Sequence, residues 1–208
     1  DISGTVRISA NEILGVLVMP QLISTFMADN PSIEVELVIS NDASNLLQRD
    51  ADVAIRLFRP TQNDLVARKI VELPLGLYAH RNYLQQHGEP SSIAELKEHV
   101  FIGFDRETSL IEAARAMGIN FTSRDFKFRS DTILTHIAAI RSGVGIGATH
   151  TGLAAKWDHV IQVLPNLPFP KLDLWIVCHA DVRYNKRVRL VMNFLSEKLK
   201  DPYERYKS

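Results

Sequence analysis

Arg56 and Glu12 are the charged side chains most suggestive of chemistry, because each stands where a strand ends. Arg56 closes the run Asp-Val-Ala-Ile-Arg, and Glu12 follows the alternating segment 5–10 after Asn11. A guanidinium presents a planar fork that suits a carboxylate, and a carboxylate suits an amine or hydroxyl. Together they could frame a small, polar, even zwitterionic ligand, with Phe58 closing one side. The plainer alternative is equally open: Arg56 and Glu12 pair with each other, or Arg56 braces Asp52 and Asp105.

In open parallel sheets, ligands sit outside the carboxyl ends of the strands. That rule selects Ala10-Asn11-Glu12, Ser40-Asn41 and Arg56-Leu57-Phe58, then Phe104-Asp105, Ser130-Asp131-Thr132 and Thr149-His150. Asn11 and Asp131 also begin helices, whose first N–H groups are unsatisfied and attract negative charge. Asn11, Asp131 and Ser109 are equally good helix caps and could do only that.

Catalytic motifs are mostly absent. There is no G-x-S-x-G elbow, P-loop or H-E-x-x-H. Gly143-Val144-Gly145-Ile146-Gly147 resembles part of a dinucleotide fingerprint but precedes a strand instead of following one, and reads as a helix end with a tight turn. Cys178 and His179 are adjacent on a strand and so point to opposite faces. The seven histidines show no metal-ligand spacing. Trp157 and Trp175 read as packing. No metal and no cofactor is expected.

The elements around these residues follow from periodicity. Segments 5–10, 33–39 and 52–57 read as strands. A helix capped by Asn11 runs to about Asp29, apolar on nearly every side at its start and kinked by Pro20. A short helix is expected at 43–48, completing β-α-β-α-β, the grammar of a parallel sheet. Segment 65–80 is extended and broken by Pro74. Ser92–Glu95 and Ser109–Glu112 read as capping boxes. Strands at 100–104, 126–129 and 145–148 with helices from Ser109 and at 133–142 make a second β-α-β-α-β. Strands at 160–164 and 172–178 and a helix at 186–199 complete the chain. The fold class is α/β: two Rossmann-like subdomains, one of residues 1–73 plus 178–208, the other 74–177, joined by two crossover strands.

Lys plus Arg and Asp plus Glu number 24 each, so the formal net charge is zero. Nothing here predicts DNA binding by this segment alone, since a nucleic-acid face normally carries a basic excess. A single cysteine excludes an intramolecular disulfide and fits a reducing cytoplasm. No stretch of 18 apolar residues exists to span a membrane.

The runs GTVRISA from Gly4, MPQLISTFMADNPSIEVELVISN from Met19 and DADVAIRL from Asp50 resemble the start of the effector-binding domain of LysR-type transcription regulators. LVARKIVELPLGLYAHRNYL from Leu65, SSIAELKEHVFIGF and RSDTILTHIAAIRSGVGIGATHTGLA resemble its first crossover and second lobe. The order and spacing of the pieces carry the likeness. It implies a type 2 periplasmic-binding-protein-like fold with a small-molecule effector in the interlobe cleft. It also implies a side-by-side homodimer, a tetramer at full length, and promoter DNA bound only by a winged helix-turn-helix upstream of Asp1.

The family's effector contacts fall on Asn11, Glu12, Ile13, Ser40, Asn41, Arg56, Phe58, Asp131 and Thr132. The dimer seam falls on Leu17, Val18, Ile23 and Phe26 with the 33–39 strand edge, facing Ile133 and Ile137 of the helix 133–141. Glu12 stands where many relatives have Ser or Thr and disfavours an anionic effector. Phe58 replaces a frequent glycine, and Thr149-His150 a frequent Leu-Pro pair. Two other functions compete. A solute-binding protein serving a transporter shares this fold, though the all-round apolar first helix argues for a dimer seam instead. An enzyme on this fold lacks a nucleophile or an acid–base pair.

Overall fold

The computed structural model describes residues 2–41, 51–116 and 118–203. The helix expected at 43–48 lies outside them. The chain divides into two compact units: Asp1–Glu72 with Leu172–Tyr206, and Leu73–Lys171.

The first unit is built on β1 (Gly4–Ala10), where Val6 and Ile8 are buried and Thr5 and Arg7 exposed. It pairs in parallel with β2 (Ile33–Ile39) along its whole length and with β3 (Val53–Arg56) at its end. All four residues of β3 are buried, as expected of a strand covered on both faces. β4 (Leu65–Leu73) and β10 (Leu172–His179) complete a sheet of order β2-β1-β3-β10-β4, with β10 antiparallel to β3. The return boundary expected at 177/178 is therefore corrected to 171/172. Ile176, Val177 and Cys178 pair with Ile55, Ala54 and Val53, which ties the strand to the first unit.

The helix expected from Asn11 to Asp29 is two helices, α1 (Glu12–Leu17) and α2 (Met19–Asp29). Pro20 causes this. It occupies the first turn of α2, where its missing N–H is harmless, and Val18 leaves helical geometry at φ −122° and ψ −51°. Helix α7 (Lys186–Lys198) buries Val188, Val191, Met192 and Leu195, and its Phe194 ring lies 5.2 Å from Phe26 on α2.

In the second unit β5 (Leu75–His80) is the centre of a three-stranded antiparallel sheet, between β8 (Gly147–His150) and β9 (Val160–Val163). β6 (Ile102–Gly103) and β7 (Phe128–Arg129) form a short parallel pair, and Phe101 bridges Ile146 in parallel just ahead of β8. One face of β5 places Leu77 and Ala79 in a core with Phe101, Phe121 and Phe126; the other places Tyr78 against Ile102, Ala139 and Ile140. The helices are α3 (Arg81–His87), α4 (Ser109–Ala116), α5 (Ile133–Arg141) and α6 (Thr151–Ala154).

Both expected capping boxes are displaced by one residue. Glu95 accepts from the Ser91 N–H at 2.8 Å as well as from the Ser91 and Ser92 hydroxyls, ahead of a 3-10 turn instead of an α-helix. Thr108 bonds Glu112 at 2.8 Å, so Ser109 is already inside α4. Gly143, with φ +75°, ends α5 and makes the turn read from the glycine run.

Candidate functional site

The carboxyl ends of β1, β2 and β3 lie side by side in the first unit, because the three strands are parallel neighbours. Asn11 caps α1, its Oδ1 accepting from the Leu14 N–H at 3.2 Å. Asn41, just past β2, accepts from the Glu12 N–H through its own Oδ1 at 3.0 Å. Two asparagine side chains thus satisfy two of the free N–H groups at the start of α1, and Ser40 ties the strands by donating its N–H to Ala10 at 2.9 Å. Glu12 and Ser40 are half-buried, and Asn41 is exposed.

Arg56 lies beneath this rim with 0% exposure. Its Nη1 donates to the Ile55 carbonyl at 3.0 Å and its Nη2 to the Ser9 hydroxyl at 2.8 Å. The guanidinium is turned into the sheet, so these bonds are made within the protein. Of the carboxylates weighed as its braces, Asp52 accepts from the Arg7 N–H at 2.8 Å and Asp105 lies 3.8 Å from Arg129 Nε. Phe58, two residues on, is exposed. Ile13 is core instead of rim: its side chain is buried.

In the second unit Asp131 and Thr132 follow β7 and are exposed. Thr132 is the residue that precedes α5, without a side-chain cap, so the expected Asp131 cap is corrected. The Asp131 carboxylate instead gathers the loop after β6. It accepts from the N–H groups of Asp105, Arg106 and Glu107 at 3.0, 2.9 and 3.3 Å, and from Arg106 Nε at 3.0 Å. Those donors, the Arg106 N–H foremost, hold its pKa down at about 2. Thr149 and His150 end β8, both buried, and burial lowers the His150 pKa to about 4.

Of the residues assigned to a dimer seam, Val18, Phe26 and Ile137 are already buried within their own units, which corrects their placement on a free surface. Leu17, Ile23 and Ile133 are half-buried, and the exposed large apolar side chains on these elements are Val16, Met27 and Ile39. Ser9 was missed from sequence because strict alternation put it on the polar face; β1 is buried on both faces from Ile8 onward. Its signal was Arg56, a cation in a strand otherwise apolar and therefore in need of an acceptor. Among the described residues no cluster of three His, Cys, Asp or Glu could hold a metal, and no helix is long and apolar enough to cross a membrane.

The sequence profile of the LysR substrate binding domain matches residues 1–200, so the chain belongs to that family. An HTH-type transcriptional regulator of Xanthomonas campestris is 30% identical over 205 residues, 94% of this chain and 60% of that protein. The HTH-type transcriptional regulator CrgA of Neisseria meningitidis is 28% identical over 203 residues, 94% of this chain and 67% of that one. The solved regulatory domain of CrgA superposes with a TM-score of 0.84 at 25% identity, covering 95% of this chain and all of that one. The chain thus spans about two thirds or less of these full-length relatives, and corresponds to their regulatory part. These relatives are regulators and not enzymes or transport proteins by name, and the fold is the type 2 periplasmic-binding-protein-like one of that family.

Proposed function

We propose that this chain senses a small polar molecule on behalf of a LysR-type transcription regulator in the cytoplasm, with promoter DNA bound by a further domain of the full-length protein. The observation that carries this reading is the rim of polar groups at the joined ends of β1, β2 and β3: Asn11, Glu12, Ser40 and Asn41 above the buried Arg56, with Phe58 exposed beside it. Glu12 would take a ligand amine or hydroxyl. Arg56 would supply positive charge from below and hold Ser9 in place, and Phe58 would limit ligand size. Asp131 and Thr132 form a strand end of the second unit, where Asp131 orders the loop after β6. Sensing would work by population shift: the ligand stabilises whichever arrangement it binds better.

A calorimetric screen of amino acids, hydroxy acids and aromatic acids against wild type, Glu12→Gln and Phe58→Ala tests the site. The expected result is a ligand whose affinity falls about ten-fold in Glu12→Gln, the worth of one hydrogen bond to a charged group. A ligand that binds all three proteins equally would refute these roles.

The reading includes a homodimer through α2 and the β2 edge, where Met27 and Ile39 are exposed, facing α5 of a second copy. In a two-fold dimer the two surfaces meet twice. Sedimentation at tens of micromolar, roughly where a μM interface is populated, should show a dimer that Ile39→Lys weakens; a monomer would count against it.

A further inference from the structure

The second unit holds a pocket of about 250 Å³ lined largely by cations and imidazoles: His80, Arg141, Lys156 and His159, with Trp157 and one carboxylate, Asp158. The chain as a whole carries 24 basic and 24 acidic side chains, so this lining departs locally from the balance. A concave surface of one charge sign concentrates counter-ions, and an anion among the cations relieves their repulsion.

Three elements build the pocket. His80 is the last residue of β5, Arg141 the last of α5, and residues 156–159 lie between α6 and β9. The turn after α5 packs on the first of these: a Cβ at Gly143 would stand 3.7 Å from His80 Cβ and 3.9 Å from its Nδ1. The rings of His80 and His159 are 5.8 Å apart, and the Arg141 guanidinium lies 5.2 Å from the centroid of the Trp157 ring. Arg81 fixes the segment before β9, donating its N–H to the His159 carbonyl at 2.7 Å and its Nη2 to the Asp158 carbonyl at 3.2 Å.

This pocket is not a strand-end site of the kind described above. Leu75, which begins β5, is the residue that pairs with His150, and His80 ends the same strand. A length of extended strand of about 17 Å therefore separates His80 from the Thr149-His150 end of the sheet.

The donors define the ligand. His80 Nδ1 accepts the Asn82 N–H at 3.1 Å, which places the ring proton on Nε2 and leaves that nitrogen to donate. Arg141 has no ion pair among the described residues, and its fork can hold two oxygens of one group. Lys156 adds an ammonium and His159 a second imidazole. A planar carboxylate presents both oxygens along one edge, whereas these donors come from three elements around a space. A phosphoryl group directs three oxygens apart and carries a charge of about −1.5 to −2 at neutral pH. The volume is below the roughly 300 Å³ of a site for a drug-sized molecule, which suits a small ligand. We infer that this pocket binds the phosphoryl group of a small molecule, at a second site that does not depend on the rim of the first unit. Asp158 opposes the anion and limits its affinity.

Inorganic phosphate, methyl phosphate and acetate are the probes, titrated separately into the isotope-labelled chain against sodium chloride at matched ionic strength. The indole N–H resonance of Trp157 reports on the pocket, and that of Trp175, on β10 in the first unit, is the internal reference. The expected result is saturable movement of the Trp157 signal with at least one phosphate probe, binding at least ten-fold weaker with acetate, and a still Trp175 signal. Tighter binding of methyl phosphate identifies a phosphate ester as the source, and tighter binding of inorganic phosphate the free ion. Arg141 and His159 are exposed, so Arg141→Gln and His159→Gln keep the fold, and each should weaken the phosphate probe about ten-fold. Asp158→Asn should tighten it. Movement that chloride reproduces, acetate binding as tight as phosphate, or phosphate affinity unchanged in both Arg141→Gln and His159→Gln would overturn the proposal.

Discussion

Arg56 donates from Nη2 to the Ser9 hydroxyl at 2.8 Å, and both side chains are buried. A strand-end cation and a strand-end hydroxyl thus lock β3 to β1 beneath the residues proposed to meet a ligand. Removing the hydroxyl withdraws an acceptor from a buried charge, which costs about 1–3 kcal/mol. Ser9→Ala should therefore lower the free energy of unfolding by that much, read as a lower urea midpoint with the slope unchanged. A midpoint equal to that of wild type would show that Arg56 does not depend on Ser9.

Pro20 restarts the helix at α2 and does not strain it. Its fixed φ is already helical, and the unfolded chain is more restricted with proline than without. Pro20→Ala should therefore cost about 0.5–1 kcal/mol in equilibrium denaturation. A gain in stability would mean that the break at Val18 is imposed by the ring against the preference of the surrounding packing.

Most elements were legible because each carried its own period. Val6 and Ile8 against Thr5 and Arg7 could only be a strand, and Val188, Val191, Met192, Leu195 and Leu199 one face of a helix, all buried. What escaped was decided by tertiary context. Leu172–His179 reads as a strand from sequence, but only its pairing with β3 says to which unit it belongs. Ser9 looked outward by alternation and is covered on both faces by neighbours far away in sequence. Asp131 has the right residue type for a cap, yet its carboxylate serves the backbone of residues 105–107, a partnership across more than twenty positions that no local pattern encodes. That Asn11, Ser40 and Arg56 stand at strand ends was legible because strand ends can be counted; the orientation of the side chains, Arg56 inward and Ile13 into the core, was not.

Asp131→Asn keeps the size of the side chain and removes the charge that collects three N–H groups and Arg106. The loop after β6 should loosen while the core of the unit stays folded. Hydrogen exchange should then quicken at residues 105–107 and remain slow at Ile102 and Ile146, which are joined backbone to backbone. In wild type the depressed pKa places this contribution above the ordinary carboxylate range, with loss only as pH falls toward about 2. Unchanged exchange at 105–107 in the variant would mean that the carboxylate does not order the loop.

His150 gives the chain a dependence on pH in a higher range. It ends β8 at 2% exposure, and burial lowers its pKa from 6.5 to about 4. The folded state therefore holds the imidazole neutral where the unfolded chain would protonate it. Between pH 6.5 and 4 the unfolded state binds more protons, so stability is complete above about 6.5 and declines as pH falls toward 4. The full depression corresponds to roughly 3 kcal/mol at its limit. His99, also buried and shifted downward mainly by burial, acts in the same direction. His150→Leu removes the titrating group and keeps an apolar side chain at a buried site. Urea denaturation of both proteins at pH 7.5, 6 and 5 should show wild type losing stability over that series and the variant losing distinctly less. Parallel losses in the two proteins would mean that His150 is not the proton acceptor and that the acid sensitivity arises elsewhere.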